Sequence, residues 1–464
     1  MENMTLERIA KACGGIYKGK EEDRQREVEG VVLDSRLVEK DYCFIATKGE
    51  RVDGHSFIAD VFEKGAACVI CESLPDGIEG NFIQVADSFQ ALKEVAEYYR
   101  STLHIPVVGI TGSVGKTSTK ELIASVLAQK YCVLKTEGNY NNEIGVPLTL
   151  LRIRREHEIA VLEMGINHFG EMRRLSKMAK PDTCVITNIG ECHLEFLKSR
   201  QGILQAKSEI FEYASEESTV YVNGDDDMLR TIERVKHKRP VRFGLGHQND
   251  YYAEVTEDHG LSGCDVMICR DGGRFLAEIP LPGEHMIRNA LAATAIGEQY
   301  GLTEAEIAAG IAAVTPVGGR SNIVTYGSLT LIDDCYNANP VSMRAALDML
   351  SRVSGKTIAV LGDMGELGEN EAQYHREIGA YAVEKKITGL ICVGRLARYL
   401  YQGACKAKER TMNNTFVLYF ETLEALLCKL ENENLFSYHI TALVKASHSM
   451  QFSRIIKMLD QKKS

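Results

Sequence analysis

The fold of this chain is decided by residues 107–117, which read Val-Val-Gly-Ile-Thr-Gly-Ser-Val-Gly-Lys-Thr. Residues 107–110 predict a buried strand, and residues 118–129 predict a helix. The glycines between them let backbone N–H groups curl around a phosphate at the positive end of that helix. This context is typical of a P-loop, in which Lys116 reaches the β- and γ-phosphates and the Thr117 hydroxyl holds Mg²⁺. The predicted phosphate contacts are Gly112, Ser113, Val114, Gly115, Lys116, Thr117 and Ser118.

One position departs from the full P-loop pattern, which requires glycine where Ile110 stands. The alternative is a glycine-rich turn with an incidental lysine, and the flanking strand and helix favour the P-loop over it. A P-loop indicates only that a nucleoside triphosphate binds, because motors, switches, kinases and ligases share it. The reaction must be inferred from other residues.

The composition predicts a folded protein of several domains. A chain of 464 residues exceeds what one hydrophobic core organises, and we expect three domains. The net charge of -10, with no block of Lys or Arg, argues against a nucleic-acid or membrane-surface binder. Residues 1–11 resemble a short polar helix rather than a secretion signal, and no apolar run approaches the ~18 residues of a membrane span. We expect a cytoplasmic monomer without membrane insertion.

The thirteen cysteines are scattered and lie mostly in apolar runs, as reduced, buried thiols do. Cys68 and Cys71 form a Cys-x-x-Cys pair, for which zinc or redox chemistry is the alternative. They lie in an apolar strand-like run, where residues three apart point to opposite faces. We therefore predict that both are core residues.

Alternating strand and helix signals divide the chain into three parts. Short apolar runs within residues 31–85 predict a small α/β domain, and residues 104–106 predict a linker. The next part alternates strands and helices, as a parallel or mixed sheet covered by helices does, up to Gly318-Gly319. Further strands and helices predict an open, Rossmann-like α/β domain. The expected fold is α/β with three domains, at residues 1–104, 105–319 and 320–464.

Two polar residues follow strands of the predicted central sheet. Glu163 comes directly after the strand at residues 159–162, and His193 follows the strand at residues 183–187. Ligands gather at the carboxyl ends of parallel strands, so Glu163 is a candidate metal ligand. The alternatives are an exposed strand-end carboxylate and a structural histidine.

A series of motifs resembles the Mur ligase family, in the family's order from about Asp34 to about Ala446. These motifs are GITGSVGKTSTKE from Gly109, GNYNNEIGVPLT from Gly138, EMG from Glu163, NIG from Asn188 with His193, AKSEI from Ala206, His285 with Asn289, and GR from Gly319. Within the family, DDCYNANP from Asp333 and LGDMGELG from Leu361 resemble the branch that adds D-alanyl-D-alanine to UDP-N-acetylmuramoyl-tripeptide. The resemblance implies ATP-dependent amide bond formation through an acyl phosphate, in peptidoglycan precursor synthesis.

The resemblance implies two Mg²⁺ sites. Thr117 and Glu163 would hold one ion. His193 would help to hold the second together with Lys207, which is commonly carbamylated in the family. A carbamate supplies the oxygen ligands that a hard cation prefers. Without the family context, a solvated helix charge would be the favoured interpretation of Lys207.

The resemblance also implies nucleotide and substrate contacts. Asn289, Arg320 and Asp334 would contact ATP, with Arg320 reaching the γ-phosphate from the third domain. The implied catalytic residues are Lys116, His193, Lys207 and Arg320. The implied substrate contacts are Asn142, Tyr336 and Asn339, with Ser35, Arg36 and Lys48 for the UDP end.

The UDP-end residues lie in Asp34-Ser35-Arg36 and in KGER from Lys48, close to DGH from Asp53. A hydroxyl donor and two cations suit an anionic diphosphate. A turn with surface charges is the alternative for all of them.

The sequence departs from the family near its C-terminus. The family usually shows Lys-Gly-Ser-Arg and then an acidic residue, whereas this chain has KASHSMQ from Lys445. A divergent ligase that uses another amine or amino acid therefore stays open, as does meso-diaminopimelate or L-lysine at the third peptide position. Beyond ligases, the P-loop alone would also fit a slow nucleotide-dependent switch or a kinase that keeps phosphorus on its product.

Overall fold

The computed structural model describes residues 1–50, 52–433, 436 and 439–461. Arg51, in the segment predicted to receive the UDP end, lies outside the described residues. Three separate sheets, of five, nine and six strands, follow one another along the chain. This arrangement confirms the predicted α/β fold with three domains, while the boundaries at 104/105 and 319/320 remain predictions.

The first domain is a small sheet covered by helices, with strand order β1-β5-β4-β3-β2. Its strands are β1 (Ile16–Lys18), β2 (Gly30–Val32), β3 (Tyr42–Ile45), β4 (Cys68–Cys71) and β5 (Phe82–Gln84), and its helices are α1 (Leu6–Ala12), α2 (Ile58–Glu63) and α3 (Ser88–Thr102). Strands β2 to β5 are parallel, and β1 is antiparallel to β5.

The prediction of a polar helix over residues 1–11 was wrong in extent and in character. Helix α1 begins after Thr5, whose hydroxyl accepts from Arg8 N, and it buries Leu6 and Ile9. An amphipathic helix packs by such a stripe, which the surrounding charges obscure in the sequence.

The core prediction for the Cys-x-x-Cys pair is confirmed. Cys68 and Cys71 lie on β4, are buried as free thiols, and pack into different apolar clusters, one on each face of the sheet.

The central domain contains a nine-stranded mixed sheet in the order β14-β13-β12-β11-β10-β9-β6-β8-β7. Its strands are β6 (Val107–Thr111), β7 (Val133–Lys135), β8 (Ile159–Glu163), β9 (Thr183–Ile186), β10 (Thr219–Asn223), β11 (Val241–Phe243), β12 (Tyr251–Asp258), β13 (Cys264–Arg270) and β14 (Gly273–Ile279). Its helices are α4 (Lys116–Leu127), α5 (Gly145–Leu150), α6 (Glu171–Ala179), α7 (Leu194–Leu197), α8 (Arg200–Ser208), α9 (Glu284–Gln299) and α10 (Glu304–Ala312). The strands from β6 to β12 pair in parallel, and β12 to β14 form an antiparallel meander.

The C-terminal domain is an open sheet in the order β15-β16-β20-β17-β18-β19. Its strands are β15 (Asn322–Tyr326), β16 (Leu329–Asp333), β17 (Lys356–Gly362), β18 (Gly389–Val393), β19 (Phe416–Phe420) and β20 (Ile440–Lys445). Its helices are α11 (Pro340–Ser351), α12 (Glu371–Glu384), α13 (Ala397–Thr411), α14 (Leu423–Asn432) and α15 (Ser453–Gln461). Among the described strands of this sheet, only β15 is antiparallel to its neighbour. In the described part of the chain, no helix is long and apolar enough to cross a membrane.

Candidate active site

A cavity of about 870 Å³ lies where the central and C-terminal domains face each other, at the carboxyl ends of their parallel strands. Cavities of this size at domain interfaces commonly bind small molecules. The predicted residues that line it are Ser113, Val114, Gly115, Lys116, Ser118, Asn142, Glu163, His193, Asn289, Arg320, Asp334, Tyr336 and Asn339. The fold thus collects residues that are far apart in sequence around one space.

The loop after β6 has the shape of a phosphate cradle. Gly115 has a φ of 82° and caps α4, which begins at Lys116 rather than at the predicted residue 118. A Cβ on Gly112 would lie 1.9 Å from the Thr187 hydroxyl, so only glycine fits there. Ile110, the departure from the P-loop pattern, is a fully buried residue of β6. The curvature of the loop therefore does not depend on position 110.

Thr117 and Glu163 meet beneath this loop. The Thr117 hydroxyl donates to Glu163 Oε2 at 2.8 Å, and both side chains are almost completely buried. Asn141 Nδ2 donates to the other carboxylate oxygen at 2.8 Å. A hydroxyl and a carboxylate are the oxygen donors that Mg²⁺ prefers, so these residues fit the predicted ion.

His193 lies at the boundary between the two domains. It precedes α7 with a φ of 53°, and its Nδ1 pairs with the Glu366 carboxylate of the C-terminal domain. The hydrogen bond from His193 holds the pKa of Glu366 below its usual value. The partner of this predicted metal ligand was not expected from the sequence.

Lys207 is a buried residue of α8 that does not itself line the cavity. Its side chain is only 1% exposed, and burial lowers its pKa to about 8, with a smaller contribution from the Lys116 charge. A lower pKa leaves more of the amine neutral near physiological pH, and only a neutral amine can add CO₂.

Arg320 and Asp334 reach the cavity from the C-terminal domain. The Arg320 guanidinium stacks 3.9 Å from the centroid of the Tyr336 ring. Asp334 Oδ2 lies 2.6 Å from Lys445 Nζ, and Lys445 also donates to the Asn337 carbonyl. Arg320 is thus oriented by an aromatic face, while Asp334 is held by a buried lysine.

The predicted asparagines already have partners through their side-chain oxygens. Asn289 accepts from the Thr119 hydroxyl at 3.0 Å. Asn142 and Asn339 accept from backbone N–H groups at the starts of α5 and α11. Each of these side chains keeps an amide N–H group that can donate to a substrate.

The predicted UDP-end residues lie apart from this cavity, at the carboxyl edge of the first sheet. Arg36 pairs with Asp34 and is highly exposed, and Lys64 Nζ donates to the Ser35 carbonyl. Lys48 follows β3, and its backbone pairs with that of Asp53 in an isolated antiparallel β-bridge. The structure brings them to one edge but does not join them to the central cavity.

Three family models match successive parts of this chain, one for each domain. Residues 27–108 match the Mur ligase family catalytic domain, residues 110–297 the Mur ligase middle domain, and residues 319–433 the Mur ligase glutamate ligase domain. UDP-N-acetylmuramoyl-tripeptide--D-alanyl-D-alanine ligase of Bacillus subtilis (strain 168) is 36% identical, over 99% of each chain. The chain belongs to the Mur ligase family.

Solved Mur ligase structures agree with this assignment. MurF from Acinetobacter baumannii is 32% identical with a TM-score of 0.88, covering 98% of this chain and 99% of that one. MurF ligase from Thermotoga maritima, in complex with ADP, is 28% identical with a TM-score of 0.80, covering 93% and 97%.

The departure from the Mur ligase pattern lies next to the same site, directly after Lys445, which lines the cavity. Ala446 is buried against Gly362, where a Cβ on that glycine would lie 2.6 Å from the Ala446 Cβ. The His448 ring lies 5.6 Å from that of Tyr336. The altered segment therefore packs behind the cavity, and the ring of His448 lies beside that of Tyr336.

Three residues of the Mur ligase site were missed in the sequence. They are Asn141, which holds Glu163, Glu366, which pairs with His193, and Lys445, which pairs with Asp334. Asn141 could have been predicted, because it is one of two adjacent asparagines that follow a short strand, β7. The other two belong to pairs more than a hundred residues apart, which no local pattern reports.

Proposed function

We propose that this chain is an ADP-forming peptide ligase that joins D-alanyl-D-alanine to UDP-N-acetylmuramoyl-tripeptide in peptidoglycan precursor synthesis. The observation that carries the proposal is that a P-loop, a strand-end carboxylate and Arg320 from another domain line the same cavity. The similarity to ligases of that name over nearly the full chain supports the choice of substrates. The thirteen free thiols support a cytoplasmic enzyme.

ATP would be bound by the loop from Gly112 to Ser118 and by the residues facing it. Backbone N–H groups of the loop and the start of α4 favour the phosphates, and Lys116 adds a charge. Asn289 and Asp334 would contact the nucleotide, and Arg320 would reach the γ-phosphate. The ADP complex of the Thermotoga maritima relative supports nucleotide binding here.

The chemistry must turn a carboxylate into an electrophile. In the proposed reaction, the substrate carboxylate attacks the γ-phosphorus of ATP and gives an acyl phosphate and ADP. The amine then attacks the acyl carbon, loses a proton, and phosphate leaves as the amide forms. Lys116 and Arg320 would offset the charge of the transferring group, and the remaining residues would mainly position the reactants.

We expect two Mg²⁺ ions beside the loop. Thr117 and Glu163 would hold one ion, and His193 with a carbamylated Lys207 would hold the second. When bound, the ions would offset negative charge on the phosphates. The lowered pKa of Lys207 supports carbamylation, because it favours the neutral amine.

The reacting groups of the two substrates would meet in this cavity, while the UDP end of the larger substrate would bind away from it. Ser35, Arg36 and Lys48 would bind the UDP end at the first sheet, and Asn142 would lie near the peptide. Tyr336 and Asn339 would contact the nucleotide or the amine substrate. We expect a monomer to carry all of these groups.

A second candidate is a ligase of the same family that uses another amine or amino acid. It is favoured by Ala446 and His448, which stand where the family pattern has a glycine and an arginine, and the ring of His448 lies beside that of Tyr336.

Mass spectrometry of the amide product tests the proposal. The protein is supplied with ATP, Mg²⁺ and UDP-N-acetylmuramoyl-tripeptide carrying either meso-diaminopimelate or L-lysine, and D-alanyl-D-alanine is compared with single amino acids. We expect the dipeptide adduct, ADP and free phosphate, and no product from Lys116→Ala. Phosphorus retained on the acceptor would indicate a kinase, and ATP hydrolysis without an amide would indicate a switch.

A further inference from the structure

Lys120 is a charged residue buried beneath the candidate active site. It lies on α4 one turn after Lys116 and is 1% exposed. Its Nζ donates to the Thr136 carbonyl at 2.6 Å and lies 2.9 Å from the Glu121 carboxylate. Burying a lysine is costly even when it is paired, and an apolar residue of similar length often replaces such a group without loss of stability. Packing alone therefore does not explain this lysine.

Thr136 connects Lys120 to the strand end that carries Glu163. The Thr136 hydroxyl accepts from Glu163 N at 3.0 Å, and Thr136 N donates to the Val161 carbonyl. The segment that starts at Thr136 then turns back, so that the Asn141 carbonyl accepts from Gly165 N at 2.7 Å. One segment therefore holds the backbone before and after Glu163.

Glu163 is consequently held at both of its carboxylate oxygens. Oε1 accepts from Asn141 and Oε2 from the Thr117 hydroxyl. The fit is close, because a Cβ on Gly165 would lie 3.1 Å from the Asn141 side chain. A carboxylate bound in this way has one orientation before any ligand arrives.

We propose that Lys120 and Asn141 are positioning residues that keep Glu163 and the Thr117 hydroxyl arranged as oxygen ligands for a divalent cation beside the nucleotide phosphates. The inference rests on the proposed function only in placing a nucleotide and Mg²⁺ in this cavity. Groups that orient a metal ligand change metal affinity by about 10- to 100-fold when they are removed.

Calorimetric titration of ADP at a series of Mg²⁺ concentrations tests this proposal without turnover. Asn141→Ala and Lys120→Met are compared with wild type and with Asn139→Ala, which removes the same side chain from an exposed position of the same segment. Mg²⁺ should strengthen ADP binding in wild type. In Asn141→Ala and Lys120→Met, we expect the Mg²⁺ concentration that gives half of this increase in ADP affinity to be about 10- to 100-fold higher. ADP affinity without Mg²⁺ should stay near the wild-type value in all of them.

An unchanged Mg²⁺ requirement in Asn141→Ala would overturn the proposal, and an unchanged requirement in Lys120→Met alone would exclude Lys120. Equal weakening of ADP binding with and without Mg²⁺ would indicate general damage and would also overturn it. If wild-type affinity for ADP does not respond to Mg²⁺, there is no cation site for these residues to arrange and this proposal also fails. The proposed ligase function fails only if no amide product forms, which separates the two failures. Urea unfolding is recorded for every variant, and Asn141→Ala decides the test if Lys120→Met does not fold.

Discussion

Charged side chains in this molecule are oriented by specific partners before a substrate binds. Asp334 is paired with the buried Lys445, Glu366 with His193, and Glu163 with two donors. Preorganised charges act strongly in a cavity that excludes water, since they need no rearrangement when the reaction starts. We therefore expect the reaction rate to be most sensitive to substitutions of these single residues and of their partners.

Replacing Ile110 by glycine would complete the P-loop pattern, yet we expect it to harm the protein. Ile110 is fully buried in β6, so Ile110→Gly leaves a cavity and loosens a central strand. The expected loss is about 3–5 kcal/mol in the free energy of unfolding, measured in urea. Nucleotide affinity should not improve in the folded fraction. Unchanged stability together with tighter ATP binding would contradict this view of position 110.

His375 gives the stability of the C-terminal domain a pH dependence. The ring is fully buried, and burial lowers its pKa. Nε2 accepts from Met364 N at 3.0 Å, which a protonated ring cannot do. The unfolded chain takes up a proton near pH 6.5 and the folded chain only at lower pH, so stability is lost as the pH falls below about 6.5. Urea unfolding at pH 7.5 and pH 5.5 should show a smaller loss in His375→Gln than in wild type. Equal losses in the two proteins would exclude His375 as the source.

At the scale of elements, helix starts serve both the fold and the site. Helices α4 and α11 both begin at the cavity, α4 after Gly115 and α11 after Asn339. Asn339 forms a capping box with Ser342, which satisfies N–H groups that would otherwise lack partners. A substitution of Asn339 can therefore remove the predicted substrate contact and keep the helix cap.

Asn339→Ser separates capping from substrate contact. Serine caps helices about as well as asparagine, so the free energy of unfolding should change by less than about 0.5 kcal/mol, against about 1 kcal/mol for Asn339→Ala. The proposed substrate contact would still be lost, and KM for the peptide or the amine should rise about tenfold. Wild-type kinetics in Asn339→Ser would reduce Asn339 to a structural residue.

Elements with strong local signals were predictable from the sequence, and those defined by long-range contacts were not. Apolar runs followed by glycine or polar turns located β6, β8 and β9, because strand ends are marked locally. The meander β12 to β14 was missed, since β12 is mostly exposed and carries no apolar run. Helix α9 begins at Glu284 rather than at residue 289, because Gly283, with a φ of 101°, ends the preceding turn.

The sequence predicted those residues of the candidate site that belong to family motifs or follow a strand, but not the contacts between them. Glu163 and Lys116 follow from local patterns, whereas the pairing of His193 with Glu366 depends on how two domains pack. In the sequence, Lys120 resembles an ordinary charged residue on a helix surface. Only the tertiary fold shows that its Nζ donates to the Thr136 carbonyl. Contacts of this kind follow from the tertiary fold rather than from the order of residues.

At the scale of the whole molecule, the cavity depends on contact between the central and C-terminal domains. Glu284 at the start of α9 lies 2.5 Å from Arg352 at the end of α11, and both side chains are about half exposed. Exposed ion pairs contribute little to stability. Such a contact suits domains that move apart and close again around substrates.

A double-mutant cycle on Glu284→Ala and Arg352→Ala measures this contact. We expect a coupling energy below about 1 kcal/mol at low salt. It should vanish in 1 M NaCl, where charges are screened within about 3 Å. A coupling of about 3 kcal/mol or more would mean that this contact locks the domains together, which would contradict domains that open and close around substrates.

Transfer of oxygen from the peptide carboxylate to phosphate tests the central claim most directly. UDP-N-acetylmuramoyl-tripeptide with ¹⁸O in its terminal carboxylate is supplied with ATP, Mg²⁺ and D-alanyl-D-alanine, and the released phosphate is weighed by mass spectrometry. An acyl phosphate places one carboxylate oxygen on phosphorus, so the account predicts one ¹⁸O atom in each phosphate and the rest in the new amide product. Amide formation with unlabelled phosphate, or phosphate release without an amide, would contradict it.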